Sequence, residues 1–280
     1  MKLKIFIPAI LVLFLSSCST TRNSKSANAM TTIPMKTRVP TDSIDLRVLC
    51  AVGMRQVMLD LLPKFEQVNG YHVAITFNSS GEIVKWMDSG KAVDLVIIFR
   101  SAVEHLVKTE RVLNSSLTNV ATSTVGIAVR EGAPKPDISS VEAFKKAMLD
   151  AKTIACPDPA RGGASGTYIT GMFERLGIAE AIKSKLVLSS TPENETAMPG
   201  YLVATGKAEI ALHQMQELLA VPGIDIVGPV PDEIQATFVF TAGVTSNTKQ
   251  ANAAKALIQF LGTAEAKDII KIKGMEPASQ

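Results

Sequence analysis

The segment CPDPARGGASGTY, residues 156–168, sets three glycines and two hydroxyl side chains just ahead of an amphipathic run. Gly162, Gly163 and Gly166 allow positive φ and close backbone approach. Ser165 and Thr167 supply hydroxyls before a helix led by Tyr168. Exposed N–H groups at such a strand-to-helix junction form a concavity suited to an anion. The spacing matches neither GxxxxGK[ST] nor GxGxxG, so neither a nucleoside triphosphate nor a dinucleotide is indicated. It also lacks the GxSxG spacing of a nucleophile elbow.

Two more junctions carry similar chemistry. In AVGMRQ, Gly53 and Met54 follow a strand pattern, and Arg55 sits in the first turn of the next helix, where it could clamp a carboxylate. The alternative is a plain turn glycine beside a solvent-facing arginine. In TFNSSGEIV, Ser79 and Ser80 occupy the expected N-cap region. One hydroxyl can cap the helix, and the other, with free N–H groups, suits an anion. Arg100, at the end of the DLVIIF strand, and Arg161, in the glycine-rich segment, are further cations that could gather around an anionic ligand. Together with Arg55 they favour a ligand with more than one carboxylate. His213 and Gln214 follow the short apolar run AEIAL. A histidine changes charge near neutral pH and could move a proton, or it could simply be a satisfied core residue.

The elements that must position these residues alternate in type. LRVLCAV (46–52), HVAITF and DLVIIF (94–99) read as strands, while MRQVMLDLLPKFEQVNG, ended by Gly70, and GEIVKWMDSG read as helices. This βαβαβ order predicts a parallel sheet covered by helices. A second α/β unit follows a proline-rich turn after TSTVGIAV. It runs through SVEAFKKAMLDA, KTIACPDP, the helix YITGMFERLGI and KLVLSS to AEIALHQ. ATFVFTAGV is a further strand, and residues 250–274 read as one long helix packing back on the first unit. The pattern predicts two α/β lobes joined by strand-like crossovers near 122–130 and 236–244, with residues 45–123 plus 240–280 in the first lobe and 124–239 in the second. The ligand cleft lies between them.

The N-terminus begins with two lysines, an uncharged apolar run from Ile5 to Leu15, and Leu-Ser-Ser before Cys18. The run is too short to span a bilayer, which takes about 20 residues. Residues 1–17 read as a lipoprotein signal peptide and Cys18 as the lipidated residue, with 18–44 a Ser-, Thr- and Asn-rich tether. The expected location is therefore periplasmic or at the cell surface, on a membrane anchor. The net charge of +3 falls to +1 once Lys2 and Lys4 leave with the signal. No basic stripe with interleaved aromatics is present, which argues against a nucleic-acid partner. Cys50 and Cys156 read as small buried residues or as halves of one bridge. The three histidines lack metal-ligand spacing, so no metal or cofactor is expected.

LRVLCAVGMRQVMLDLLPKFEQVNG, FNSSGEIVKWMDSGKAVDLVI, the DP-to-Tyr168 segment and VATGKAEIAL resemble the periplasmic molybdate-binding protein family. The resemblance implies the two-lobe type II periplasmic binding fold of ABC import systems, a small anionic ligand held by hydroxyls and N–H groups, and a membrane permease as partner. Position by position, the family's first-loop serine falls at Gly53 and its second-helix serine at Ser80. Its small residue in the glycine-rich segment falls at Ser165, a later contact near Thr196, and its tyrosine near Gln214. The changes at Gly53 and Gln214, with Arg55 and Arg100 added, fit an organic carboxylate better than molybdate or tungstate. GMRQV, GAPKPDIS, DPARGGASGTY, HQMQEL and VPGIDIVGPVPDEIQ resemble a branch that includes aconitate isomerases, which share the fold. For that activity the acid–base candidates are Glu82 and His213.

Overall fold

The computed structural model describes residues 46–161, 163–189 and 198–278. The signal segment, Cys18, the 18–44 tether, Gly162 and Thr196 lie outside the described residues. In chain order the first lobe opens with β1 (Leu46–Ala51), α1 (Arg55–Asn69), β2 (Val73–Asn78), α2 (Ser80–Asp88), β3 (Leu95–Phe99), α3 (Arg100–Lys108) and β4 (Thr118–Ser123). The second lobe holds β5 (Val125–Arg130), α4 (Val141–Asp150), β6 (Ile154–Pro157), α5 (Ala164–Arg175), α6 (Ala179–Ile182), β7 (Leu186–Ser189), α7 (Pro199–Ala204), β8 (Ile210–Gln214), α8 (Met215–Leu219) and β9 (Ile224–Pro229). The chain then returns to the first lobe through β10 (Phe238–Val244), α9 (Ala251–Leu261), α10 (Ala264–Ile272) and β11 (Glu276–Pro277).

The first lobe is built on a six-stranded sheet ordered β11-β4-β10-β3-β1-β2, the second on a five-stranded sheet ordered β7-β6-β8-β5-β9. The βαβαβ run gives parallel neighbours, with β1 between β2 and β3. Neither sheet is wholly parallel, however. β10 runs antiparallel to β3 and β4, and β5 antiparallel to β8 and β9. β11 also runs antiparallel to β4. β5 and β10 each adjoin a crossover, so each enters its sheet from the side of the other lobe and points the opposite way. Every residue of β3 is buried, as a central strand covered on both faces requires. Burying each of Val96, Ile97 and Ile98 contributes about 1.5–3 kcal/mol.

Local signals set the helix ends. Gly70 closes α1 at φ 73°, a left-handed cap that glycine adopts without strain. The long C-terminal helix expected over 250–274 is broken in two. Gly262 ends α9, and the Thr263 hydroxyl accepts from the Ala266 N–H to cap α10. α10 and α9 both pack on α1.

Cys50 in β1 and Cys156 in β6 belong to different sheets and are free thiols. Burial raises both thiol pKa values, and for Cys156 burial with the nearby Asp158 charge pushes it up to about 12. At about pH 8, where an ordinary thiol is partly ionised, a disulfide reagent is therefore expected to titrate neither cysteine in the native protein and both once denaturant is added.

The crossovers are short and tied together. Ser123 ends β4 and Val125 starts β5, leaving Thr124 alone between the sheets. Gln235, in the second crossover, accepts from the Val125 N–H at 2.8 Å and donates to the Val125 and Val230 carbonyls at 2.9 and 3.3 Å. The Tyr168 hydroxyl donates to the Ile234 carbonyl at 2.6 Å. Gln235→Ala leaves the Val125 N–H without its acceptor, although the Val125 carbonyl still accepts from the Val230 N–H, and is expected to cost about 1–3 kcal/mol, read as a lower urea midpoint at unchanged slope.

Candidate functional site

The carboxyl ends of β1, β2 and β3 in one lobe, and of β6, β7 and β8 in the other, converge on one cavity. This is where helix N-termini gather in α/β sheets. The first lobe contributes Ala51, Val52 and Gly53 after β1, Ser79 and Ser80 at the start of α2, and Phe99 at the end of β3. The second contributes Pro157 and Asp158 after β6, Gly163 and Ser165 at the start of α5, Ser189 after β7, Met198 ahead of α7, and His213, Gln214 and Glu217 around the β8–α8 junction. Both lobes lie within one compact unit.

The two serines divide their work. The Ser79 hydroxyl accepts from the Glu82 N–H at 3.2 Å and caps α2. The Ser80 hydroxyl oxygen accepts from the Phe99 N–H at 3.3 Å, which leaves its hydrogen to be given away. Across the cavity α5 starts four residues earlier than the sequence pattern suggests, so Ser165, Gly166 and Thr167 form its first turn rather than a loop. Its first N–H groups have no acceptor in the preceding turn. A Cβ on Gly166 would sit 2.8 Å from the Pro157 carbonyl oxygen. That glycine exists to let α5 press on the strand end that carries Asp158.

Six of the expected contact residues meet here: Gly53, Ser79, Ser80, Gly163, Ser165 and Gln214. Met54 is wholly buried in the core. Arg55 stands in an adjoining hollow with Gln56 and Tyr201, its guanidinium carbon 4.9 Å from the Phe77 ring centroid. Arg100 opens α3 on an outer groove shared with Thr167. Its Nε donates to Glu104 at 2.7 Å and its Nη1 to Asn119 at 3.2 Å. Neither arginine is among the described lining residues of the cavity, which include no lysine or arginine, but the hollow of Arg55 shares Val52, Gly53, Met198 and Glu217 with it and the groove of Arg100 shares Ser80 and Phe99. Glu82 lies outside too, paired with Lys85 at 2.8 Å.

The acidic residue paired with His213 on the cavity wall is Glu217, which no local pattern in the sequence singled out. His213 and Glu217 are 6% and 11% exposed, with Nδ1 of the ring 2.9 Å from the carboxylate Oε2. The Gln214 N–H also points at that Nδ1 from 2.8 Å. One ring nitrogen serves one of these partners at a time: unprotonated it accepts from the backbone, protonated it donates to Glu217. The His-x-x-x-Glu spacing in HQMQE was the available signal, masked because a strand ends and a helix begins between the two residues. Among the described residues no cluster of three His, Cys, Asp or Glu side chains is arranged to hold a metal ion.

One buried amide joins the lobes beside the cavity. Gln216, 3% exposed, donates from Nε2 to the Gly53 carbonyl of the first lobe at 3.2 Å and to Gln214 Oε1 at 3.3 Å, while its own Oε1 accepts from the Ser123 hydroxyl at the crossover.

A family model described as "Bacterial extracellular solute-binding protein" matches residues 46–276. The chain belongs to that family. Aconitate isomerase of Pseudomonas sp. is 32% identical over 239 residues, 83% of this chain and 87% of that protein. The molybdate-binding protein ModA of Azotobacter vinelandii is 26% identical over 238 residues, 82% of this chain and 89% of that one. The solved periplasmic molybdate-binding protein of Azotobacter vinelandii superposes with a TM-score of 0.69 at 18% identity, covering 84% of this chain and 100% of that one. The two-lobe periplasmic binding fold is therefore the fold of this chain.

The serine that the sequence resemblance sets at position 53 has no room here. A Cβ on Gly53 would lie 2.8 Å from Phe240 Cζ and 3.0 Å from Gln216 Nε2. Gly53→Ser is expected to displace the Gln216 amide and cost about 1–3 kcal/mol in thermal or urea unfolding. In a double-mutant cycle, Gly53→Ser is expected to cost less in a Gln216→Ala background than in the wild type, because one of the two obstacles is then gone.

Proposed function

We propose that this protein is an extracytoplasmic receptor that binds a small organic anion, a carboxylate, in the interlobe cleft and delivers it to the permease of an ABC-type importer. Cys18 would carry the lipid that holds the domain at a membrane surface. One observation carries the ligand class: the N-termini of α2 and α5, one from each lobe, face a single cavity with the Ser80 and Ser165 hydroxyls and no described lysine or arginine. Helix N-termini and hydroxyls supply hydrogen-bond donors and partial positive charge without a formal cation. Contacts made to both lobes favour the closed arrangement, and the crossovers at Thr124 and before β10 are the natural hinges. An organic rather than an inorganic anion is supported by Gln214 and Glu217 on the cavity wall and by the loss of a hydroxyl at Gly53.

Calorimetric titration with citrate, trans-aconitate and molybdate tests this reading. At least one organic acid is expected to bind more tightly than molybdate, and Ser80→Ala and Ser165→Ala are each expected to weaken it about tenfold, or about 1.4 kcal/mol. Binding unaffected by both substitutions would remove the cleft from consideration.

The His213–Glu217 pair favours a second reading, an isomerase acting on an unsaturated tricarboxylate such as aconitate. In an allylic shift a base takes a proton from the CH₂ beside a carboxylate, the C–H electron pair becomes the new double bond, and the old double-bond pair takes a proton at the far carbon. No oxidant or reductant is consumed. Proton NMR of trans-aconitate with the protein would show cis-aconitate signals growing in, lost with His213→Asn; an unchanged spectrum leaves the receptor reading standing alone.

A further inference from the structure

The cavity wall carries groups of opposite hydrogen-bonding character. Ser80, Ser165 and the starts of α2 and α5 offer hydrogens. Glu217 and Asp158 offer lone pairs. Glu217 Oε2 is engaged by Gln214 Nε2 at 3.0 Å and lies against His213 Nδ1, while Oε1 takes no hydrogen bond from any described residue. Asp158, also on the cavity wall, uses Oδ1 to accept from the Ala160 N–H at 2.9 Å. The charged groups among the described lining residues of this cavity are both carboxylates, while Glu217 also borders the hollow that holds Arg55.

A carboxylate facing a ligand is satisfied by a hydrogen that the ligand brings. A tetrahedral oxyanion that is fully ionised at neutral pH, such as molybdate, has only acceptor oxygens. Set against Glu217, it would place like charges together at a side chain that is only 11% exposed. Discrimination of this kind works by repelling the wrong ligand as much as by holding the right one.

We infer that Glu217 is a specificity-determining residue: it selects an organic acid that carries a hydrogen-bond donor, a hydroxyl or a protonated carboxyl, on the part that meets Glu217, and it rejects fully ionised tetrahedral oxyanions. The inference rests on the anion cleft proposed above.

The test is a set of calorimetric titrations of the purified protein with citrate, with tricarballylate, which is citrate without its hydroxyl, and with molybdate. The wild type is expected to bind citrate at least tenfold more tightly than tricarballylate or molybdate. Glu217→Gln keeps the shape, removes the charge and adds a donor. It is expected to narrow the citrate-to-molybdate ratio at least tenfold, chiefly by improving molybdate. Glu217→Asp keeps the charge and should keep the wild-type order of ligands, which a merely structural role would not require. Thermal melts of each variant establish that it is folded. If the wild type binds these anions but Glu217→Gln leaves the ratio unchanged, or if the wild type prefers molybdate, the inference is overturned while the anion cleft stands. If the wild type binds none of them, cleft and inference fall together.

Discussion

The geometry of the cleft depends on one side-chain amide. Gln216 spans from α8 in the second lobe to the Gly53 carbonyl in the first, and its oxygen is held by Ser123 at the crossover. Its remaining hydrogen reaches the carbonyl oxygen of Gln214, which leaves the Gln214 nitrogen for Glu217. Interlobe contact, hinge and cavity wall are therefore one hydrogen-bonded unit. A buried amide has four hydrogen-bonding positions to satisfy, and leaving any of them empty is costly. That cost confines the lobes to arrangements in which Gly53 stays within reach.

The strand topology explains why the donors converge. Each lobe is a sheet whose parallel strands end at the cleft, so the following helices begin there. The antiparallel crossover strands β5 and β10 let the chain pass between lobes twice while keeping those strand ends face to face. Because the helices start at the cleft, their unpaired N–H groups do too. The site can thus offer dipoles and hydroxyls to negative charge, while the carboxylates among its described lining residues, Asp158 and Glu217, present lone pairs.

Much of the fold was legible in the sequence. The alternation of apolar runs with helical periodicity indicated two α/β lobes, Gly70 marked the end of α1, and Ser79–Ser80 marked a helix start, because each rests on neighbours within a few residues. Ser80 and Ser165 were legible as candidates for the same reason. The arginines were not: Arg100 sits at a strand end like the cavity residues, but its direction is set by Glu104 and Asn119, the latter from the distant β4. Glu217 was passed over since its importance comes from His213 and from the wall they share, not from any local pattern.

What the sequence by itself determined is therefore what short-range physics controls: periodicity, caps, turn glycines, and small hydroxyl-bearing helix starts. The tertiary structure alone decided which of those starts share a cavity, that Gly53 is glycine because Phe240 and Gln216 fill the space of its Cβ, and that the charged groups on the described cavity wall are acidic. These facts join residues far apart in the chain, Ser80 and Ser165 by 85 positions and Gly53 and Phe240 by 187, and only tertiary packing brings such residues together.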